Sequence, residues 1–255
     1  MSQEETIGVY IFCGIQTDGQ EEFGQLEIEG EVRKLYTIGY KDAAMVAADV
    51  PMKIYHPNKD NLLMHQNAVS QVMKKNKTVI PVSFGNVFGS KEDVAVLLEN
   101  LYPQFQKLFP EIEGKIELGL KVIGKKEWLE SQVSGNANIE KMAKSVQGKS
   151  EAASYYERIQ LGGAAQKIIT SLQRDMEKEI LAPLEEIAVT AKKNDPIGEK
   201  MLLNASFLVE EDKEADFDQR VNDIHDKWKD KVEFSYSGPW PAYNFINIRL
   251  KVEDA

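Results

Sequence analysis

Residues 115–123 read KIELGLKVI, and the alternation of Ile116, Leu118, Leu120 and Val122 decides the fold class. A period of two places these four side chains on one face of an extended strand, so one side meets a core and the other does not. Upstream lies a helix-period segment that starts at Ser90, with Asp93 three residues on in the capping-box position. Val94, Leu97, Leu98, Leu101, Phe105 and Leu108 line its apolar face. Pro103 is expected to kink or split that helix, because it removes a hydrogen bond and crowds the preceding turn. A strand and the helix beside it, each with one apolar face, specify a helix-backed sheet.

Further toward the N-terminus, TVIPV (78–82) reads as a short strand. Pro81 cannot donate to a ladder and belongs at a strand end or sheet edge. A helix is expected from about Asp60 to Lys75, with Leu62, Val69, Val72 and Met73 inward. LYTIGY (35–40) and AAMVAA (43–48) read as two strands turning at Lys41-Asp42, and TIGVYIFC (6–13) as a buried strand. This mixture gives an α+β class with a broadly ferredoxin-like N-terminal domain over 1–124.

Toward the C-terminus, 125–150 reads as a helical connector and about 150–193 as a long helical stretch. Its stripe is Ile159, Ile168, Leu172, Met176, Ile180, Leu184 and Ile187. Gly162-Gly163, expected to serve close helix packing, and Pro183 interrupt it, which predicts a kink or two helices. LLNASFLVE (202–210), a helix carrying Phe217, Val221, Ile224 and Trp228, VEFSYSG (232–238) and FINIRLKV (245–252) complete a second, smaller α+β domain over 151–255. No internal repeat is visible in the sequence.

The net charge of −10 argues against nucleic acid and against an anionic membrane surface, both of which select basic faces. The one cysteine, Cys13, sits in an apolar run and reads as a small buried hydrophobe. The acidic N-terminal residues and the lack of a long apolar segment point to the cytoplasm.

The search for chemistry returns little. His56, His65 and His225 are scattered, without ligand spacing, so neither a metal nor another cofactor is expected. His65, between Leu62 and Val69, reads as a structural histidine; a small hydrolase using it with a nearby acid is the rival enzymatic reading. Glu117 reads as an exposed strand glutamate, with a poised acid as the alternative. No catalytic residues are assigned. One segment stands apart, YSGPWPAYNFI (236–246). Pro239 and Pro241 stiffen it around Trp240, with Tyr243 and Phe245 following. Rigid aromatics of this kind make protein-binding hot spots, so these five residues form the candidate site; the plainer alternative is a Trp240 that plugs the core.

SGPWPAYNFI also resembles the C-terminal signature of the gas vesicle protein F/L family. The resemblance extends to GVYIFCGI (8–15), HQNAVSQVMKKNKTVIPVSFGNVF (65–88), GKIELGLKV (114–122), SYYERIQLGG (154–163) and LLNASFLVEE (202–211). Ser83, Asn86 and Ala242 depart from it, standing where arginine, threonine and a second proline are usual. The resemblance implies a non-enzymatic, cytoplasmic accessory protein associated with gas vesicles. It would bind the major shell protein, keep it from aggregating and support nucleation as a minor vesicle component, with other accessory proteins as further partners. A purely structural component of the vesicle wall is the remaining alternative.

Overall fold

The computed structural model describes residues 6–150 and 152–248. Contacts divide the chain into two compact units, Met1–Glu117 with Pro239–Ala255, and Leu118–Gly238. These divisions differ from the layout read from the sequence. The helices of 125–150 pack with the helix that follows them in the second unit, and the Pro-Trp-Pro segment returns to the first.

The first unit is built on β1 (Ile7–Gln16), which pairs along its length with β5 (Ala43–Pro51). β4 (Tyr36–Tyr40) forms a hairpin with β5. The hairpin turns at Lys41, whose φ of +54° is left-handed. β6 (Val79–Pro81) and β7 (Val87–Phe88) take the opposite side of β1. Pro81 ends its strand, as its missing donor requires. The register of β1 slips between Ile11 and Cys13, so Phe12 is the extra residue of a bulge. A second hairpin, β2 (Gln25–Ile28) with β3 (Glu31–Lys34), occupies the acidic stretch, which carries no strand signal in its sequence.

Two helices complete this unit. α1 (Lys59–Met73) is capped by Asn58, whose side chain accepts from Asn61 N. It buries Met64, His65, Ala68, Val69 and Val72 in one core with Tyr10, Phe12 and the hairpin residues Leu26 and Ile28. Leu62, expected inward, is 44% exposed. α2 (Lys91–Ile112) starts where Ser90 Oγ accepts from Asp93 N at 3.1 Å. It runs unbroken through Pro103, which is exposed, so the carbonyl that loses its partner is on the wet side of the helix. Tyr102 and Phe109 are buried alongside Val94, Leu98, Leu101 and Phe105, while Leu97 and Leu108 are half-buried. The Phe105 ring fills the space a Cβ on Gly14 would need, 2.4 Å from the ideal position, so only glycine permits that approach.

The second unit carries the sheet β11-β8-β10-β9, formed by β8 (Lys115–Gly124), β9 (Thr190–Lys193), β10 (Met201–Glu210) and β11 (Val232–Trp240). Gly124 N donates to Lys200 O and Lys125 N to Lys231 O, so β8 runs antiparallel to both neighbours. Between β8 and β9 come α3 (Lys126–Ser134), α4 (Ala137–Val146), α5 (Tyr155–Met176), a π-helical turn over Glu177–Leu181, and α6 (Ala182–Glu185). α7 (Glu214–Trp228) crosses from β10 to β11 and buries Phe217, Val221 and Ile224.

Numbered within each unit, the principal strands of both sheets lie in the order 2-3-1-4. That is the ferredoxin-like split β-α-β order, in which the first strand is flanked by the third and the fourth. Only the second unit has helices in both crossovers; the first uses the β2–β3 hairpin for one of them. Residues 190–193, read as helix from sequence, are the edge strand β9. Of the expected strand 245–252, Phe245 lies in a turn and 246–248 are not in a strand, while 249–252 fall outside the described residues.

Candidate protein-binding site

The Pro-Trp-Pro segment follows β11 through Gly238, whose φ of +131° lies in the region that favours glycine. From there the chain turns twice. Tyr243 N donates to Pro241 O at 2.7 Å, and Phe245 N and Ile246 N both donate to Ala242 O. Pro241 and Ala242 are buried, Trp240 and Phe245 half-buried, and Pro239 exposed. Tyr243 is 43% exposed. Trp240 is thus neither a core plug nor a free ring. Desolvation pushes the Tyr243 phenol up to about 12, with Cys13, Tyr10 and Glu117 adding to the rise.

Glu117 holds this segment, in surroundings other than those expected from sequence. It is buried, at 4% exposure, not an exposed strand residue. One carboxylate oxygen accepts from Asn244 N at 2.7 Å, and the other from Asn244 Nδ2. A buried carboxylate needs such donors, and here both come from one residue 127 positions away. The period-two pattern sent Glu117 to the far face of its strand correctly. It could not show that this face is covered.

His65 sits in a different environment from the one a general base requires. Its Nδ1 accepts from Tyr10 OH at 3.0 Å, and Tyr10 OH accepts in turn from Gly85 N at 2.8 Å. The rings of Tyr10, Phe12 and Phe84 surround it at centroid distances of 5.6–5.8 Å. Nε2 is buried without a well-formed hydrogen bond. Burial pushes the imidazole down to about 4, against a smaller opposing pull from the Val82 backbone. A neutral histidine clamped by a tyrosine orders the core, and among the described residues no carboxylate, serine, threonine or cysteine side chain is hydrogen-bonded to it. Cys13 is fully buried, and burial drives its thiol pKa strongly upward. Among the described residues no group of three or more His, Cys, Asp or Glu side chains converges for a metal. No helix among them is long and apolar enough to cross a membrane.

The molecule is therefore an α+β protein whose most distinctive surface feature is a pinned aromatic segment. The family model for gas vesicle synthesis protein GvpL/GvpF matches residues 8–247, and the chain belongs to that family. It is 23% identical over 238 residues to gas vesicle protein F1 of Halobacterium salinarum, covering 92% of each chain. It is 26% identical over 197 residues to gas vesicle protein F of a Nostoc species, covering 76% of this chain and 80% of the relative. The crystal structure of GvpF from Anabaena superposes with a TM-score of 0.79 at 22% identity, covering 95% of this chain and 99% of that one. GvpF from Microcystis aeruginosa gives 0.75 at 17% identity, with 93% and 98% covered. The structural likenesses establish the α+β fold, and membership of the GvpL/GvpF family an accessory role in gas vesicles. The family is not a known enzyme family.

Proposed function

We propose that this protein binds the major gas vesicle shell protein, keeps it from aggregating in the cytoplasm and supports vesicle nucleation, remaining as a minor vesicle component. A shell that encloses gas needs a subunit with an unusually apolar face, and such a face aggregates before assembly unless something covers it. The observation carrying the proposal is the segment Pro239–Phe245. Its two prolines and the Glu117–Asn244 hydrogen bonds hold Trp240 and Tyr243 in set positions, while both keep accessible surface. Aromatics presented in this way lose little entropy on docking. Acidic side chains elsewhere keep a complex of the two proteins dispersed, since the chain carries a net charge of −10.

Co-expression with the major shell protein tests this. The shell protein is expected to shift into the soluble fraction and co-purify with this chain. Shell protein that aggregates to the same extent with and without it, with nothing co-purifying, would refute direct binding.

A further inference from the structure

α5 is the helix in this molecule with the least use for its own apolar residues. From Tyr155 to Ser171 no residue is buried, and only Leu172 and Met176 anchor the helix further along. Tyr155, Tyr156 and Ile159 are 60%, 79% and 55% exposed. Gly162 and Gly163 follow in mid-helix, where glycine is less favourable than alanine because it loses more backbone freedom on folding. Within the molecule nothing offsets that cost: a Cβ on either would meet no atom within 4 Å, and neither has a positive φ. The sequence reading, in which these glycines admit a close helix neighbour, finds no such neighbour inside the unit.

The surface beside them is a trough. Ile139 and Met142 of α4 and Gly163, Ala164 and Ile168 of α5 line it among polar neighbours. Lys141 and Lys167 are its charged lining residues. No acid lines the trough, and Glu140 and Glu157 on the same two helices are paired with Lys144 and Lys149, each at 2.6 Å. Lys141 and Lys167 have no ion pair among the described residues, so the uncompensated charge at the trough is positive in a chain whose net charge is −10.

We infer that the α4–α5 trough docks an amphipathic α-helix of a partner protein, with an apolar stripe in the trough and acidic residues toward Lys141 and Lys167. The occupant is helical because the open space over Gly163 admits the backbone-close approach of a packed helix. It is acidic because the charge lining the trough is positive. A second copy of this chain fits poorly: its acidic amphipathic helix, α7, already buries its apolar residues Phe217, Val221 and Ile224. The inference stands independently of the role given to Pro239–Phe245.

The test uses the full chain and two labelled helical peptides that share one leucine stripe, flanked by glutamates in one and lysines in the other. Fluorescence anisotropy should show the glutamate peptide binding at least about tenfold more tightly. The double variant Lys141→Glu, Lys167→Glu should reverse that preference. Gly163→Leu should abolish binding of both peptides without lowering the melting temperature, because the added side chain occupies open space. Equal affinity for the two peptides, or undiminished binding by Gly163→Leu, would overturn the proposal. So would a dimer seen by sedimentation that Gly163→Leu dissolves, which would assign the trough to a second copy. Binding to phosphatidylserine vesicles in place of the peptides would assign it to a lipid surface and equally overturn it.

Discussion

The two units lay their principal strands in the same order, 2-3-1-4, and differ in what fills the first crossover. In the first unit it is the β2–β3 hairpin, whose Leu26 and Ile28 join the core with Tyr10 and Phe12. In the second it is the run α3 to α6, of which α5 buries almost nothing over its first four turns. The connection that returns a chain to a sheet must cover one face, and a short hairpin can do so only by burying its side chains. A longer helical crossover covers the sheet with part of its length and has the rest to spare. One crossover buries its side chains in a core, and the other leaves much of α5 exposed.

Core truncations should expose this contrast most strongly. Phe105→Ala and Phe217→Ala each remove a fully buried ring and should cost about 3–5 kcal/mol in denaturant unfolding. Tyr156→Ala and Ile159→Ala on α5 should change stability by no more than about 0.5 kcal/mol. A large loss from either α5 variant would mean that the arm is integral to its unit.

The next effect depends on pH and belongs to the first unit. His65 titrates near 4 when folded and near its ordinary 6.5 when unfolded, so the unfolded chain binds the proton first. Stability should be full above pH 6.5 and fall as the pH drops toward 4. The loss should be about 1.5 kcal/mol between pH 6.5 and 5, since the slope approaches 1.36 kcal/mol per pH unit only below the unfolded pKa. His65→Gln should flatten that slope, and amide exchange should place the effect on α1 and β1. A slope that survives the substitution would assign it to other groups.

Glycine substitutions should separate the regions by sign. Gly14→Ala drives a methyl into the Phe105 ring and should destabilise by about 1–3 kcal/mol. Gly163→Ala meets open space in a helix and should stabilise by about 0.4–1 kcal/mol. Equal signs would contradict the view that one glycine serves internal packing and the other does not. Ser90→Ala removes the α2 cap and should cost about 1 kcal/mol, read from the denaturant midpoint.

Periodicity made most of this architecture legible. The faces of β8 and α7, the cap at Ser90, the turn at Lys41-Asp42 and the edge position of Pro81 all follow from local rules. What escaped depends on distant partners. QLEI and EVRK are too short and polar to announce a hairpin, and TAKK becomes strand β9 only by pairing with β10. Pro103 looked like a break because the sequence does not say which side of α2 faces water. Glu117 looked exposed because its donor, Asn244, is 127 residues away. The aromatic segment was visible as stiff, whereas the carboxylate that pins it was not.

The proposed function has this protein reach the shell protein through Trp240 and Tyr243. Its sharpest test is the affinity of the double variant Trp240→Ala, Tyr243→Ala for the shell protein, with circular dichroism confirming that the fold is intact. The expected result is a loss of at least tenfold, about 1.4 kcal/mol or more. Binding as tight as that of the unmodified chain would rule these side chains out.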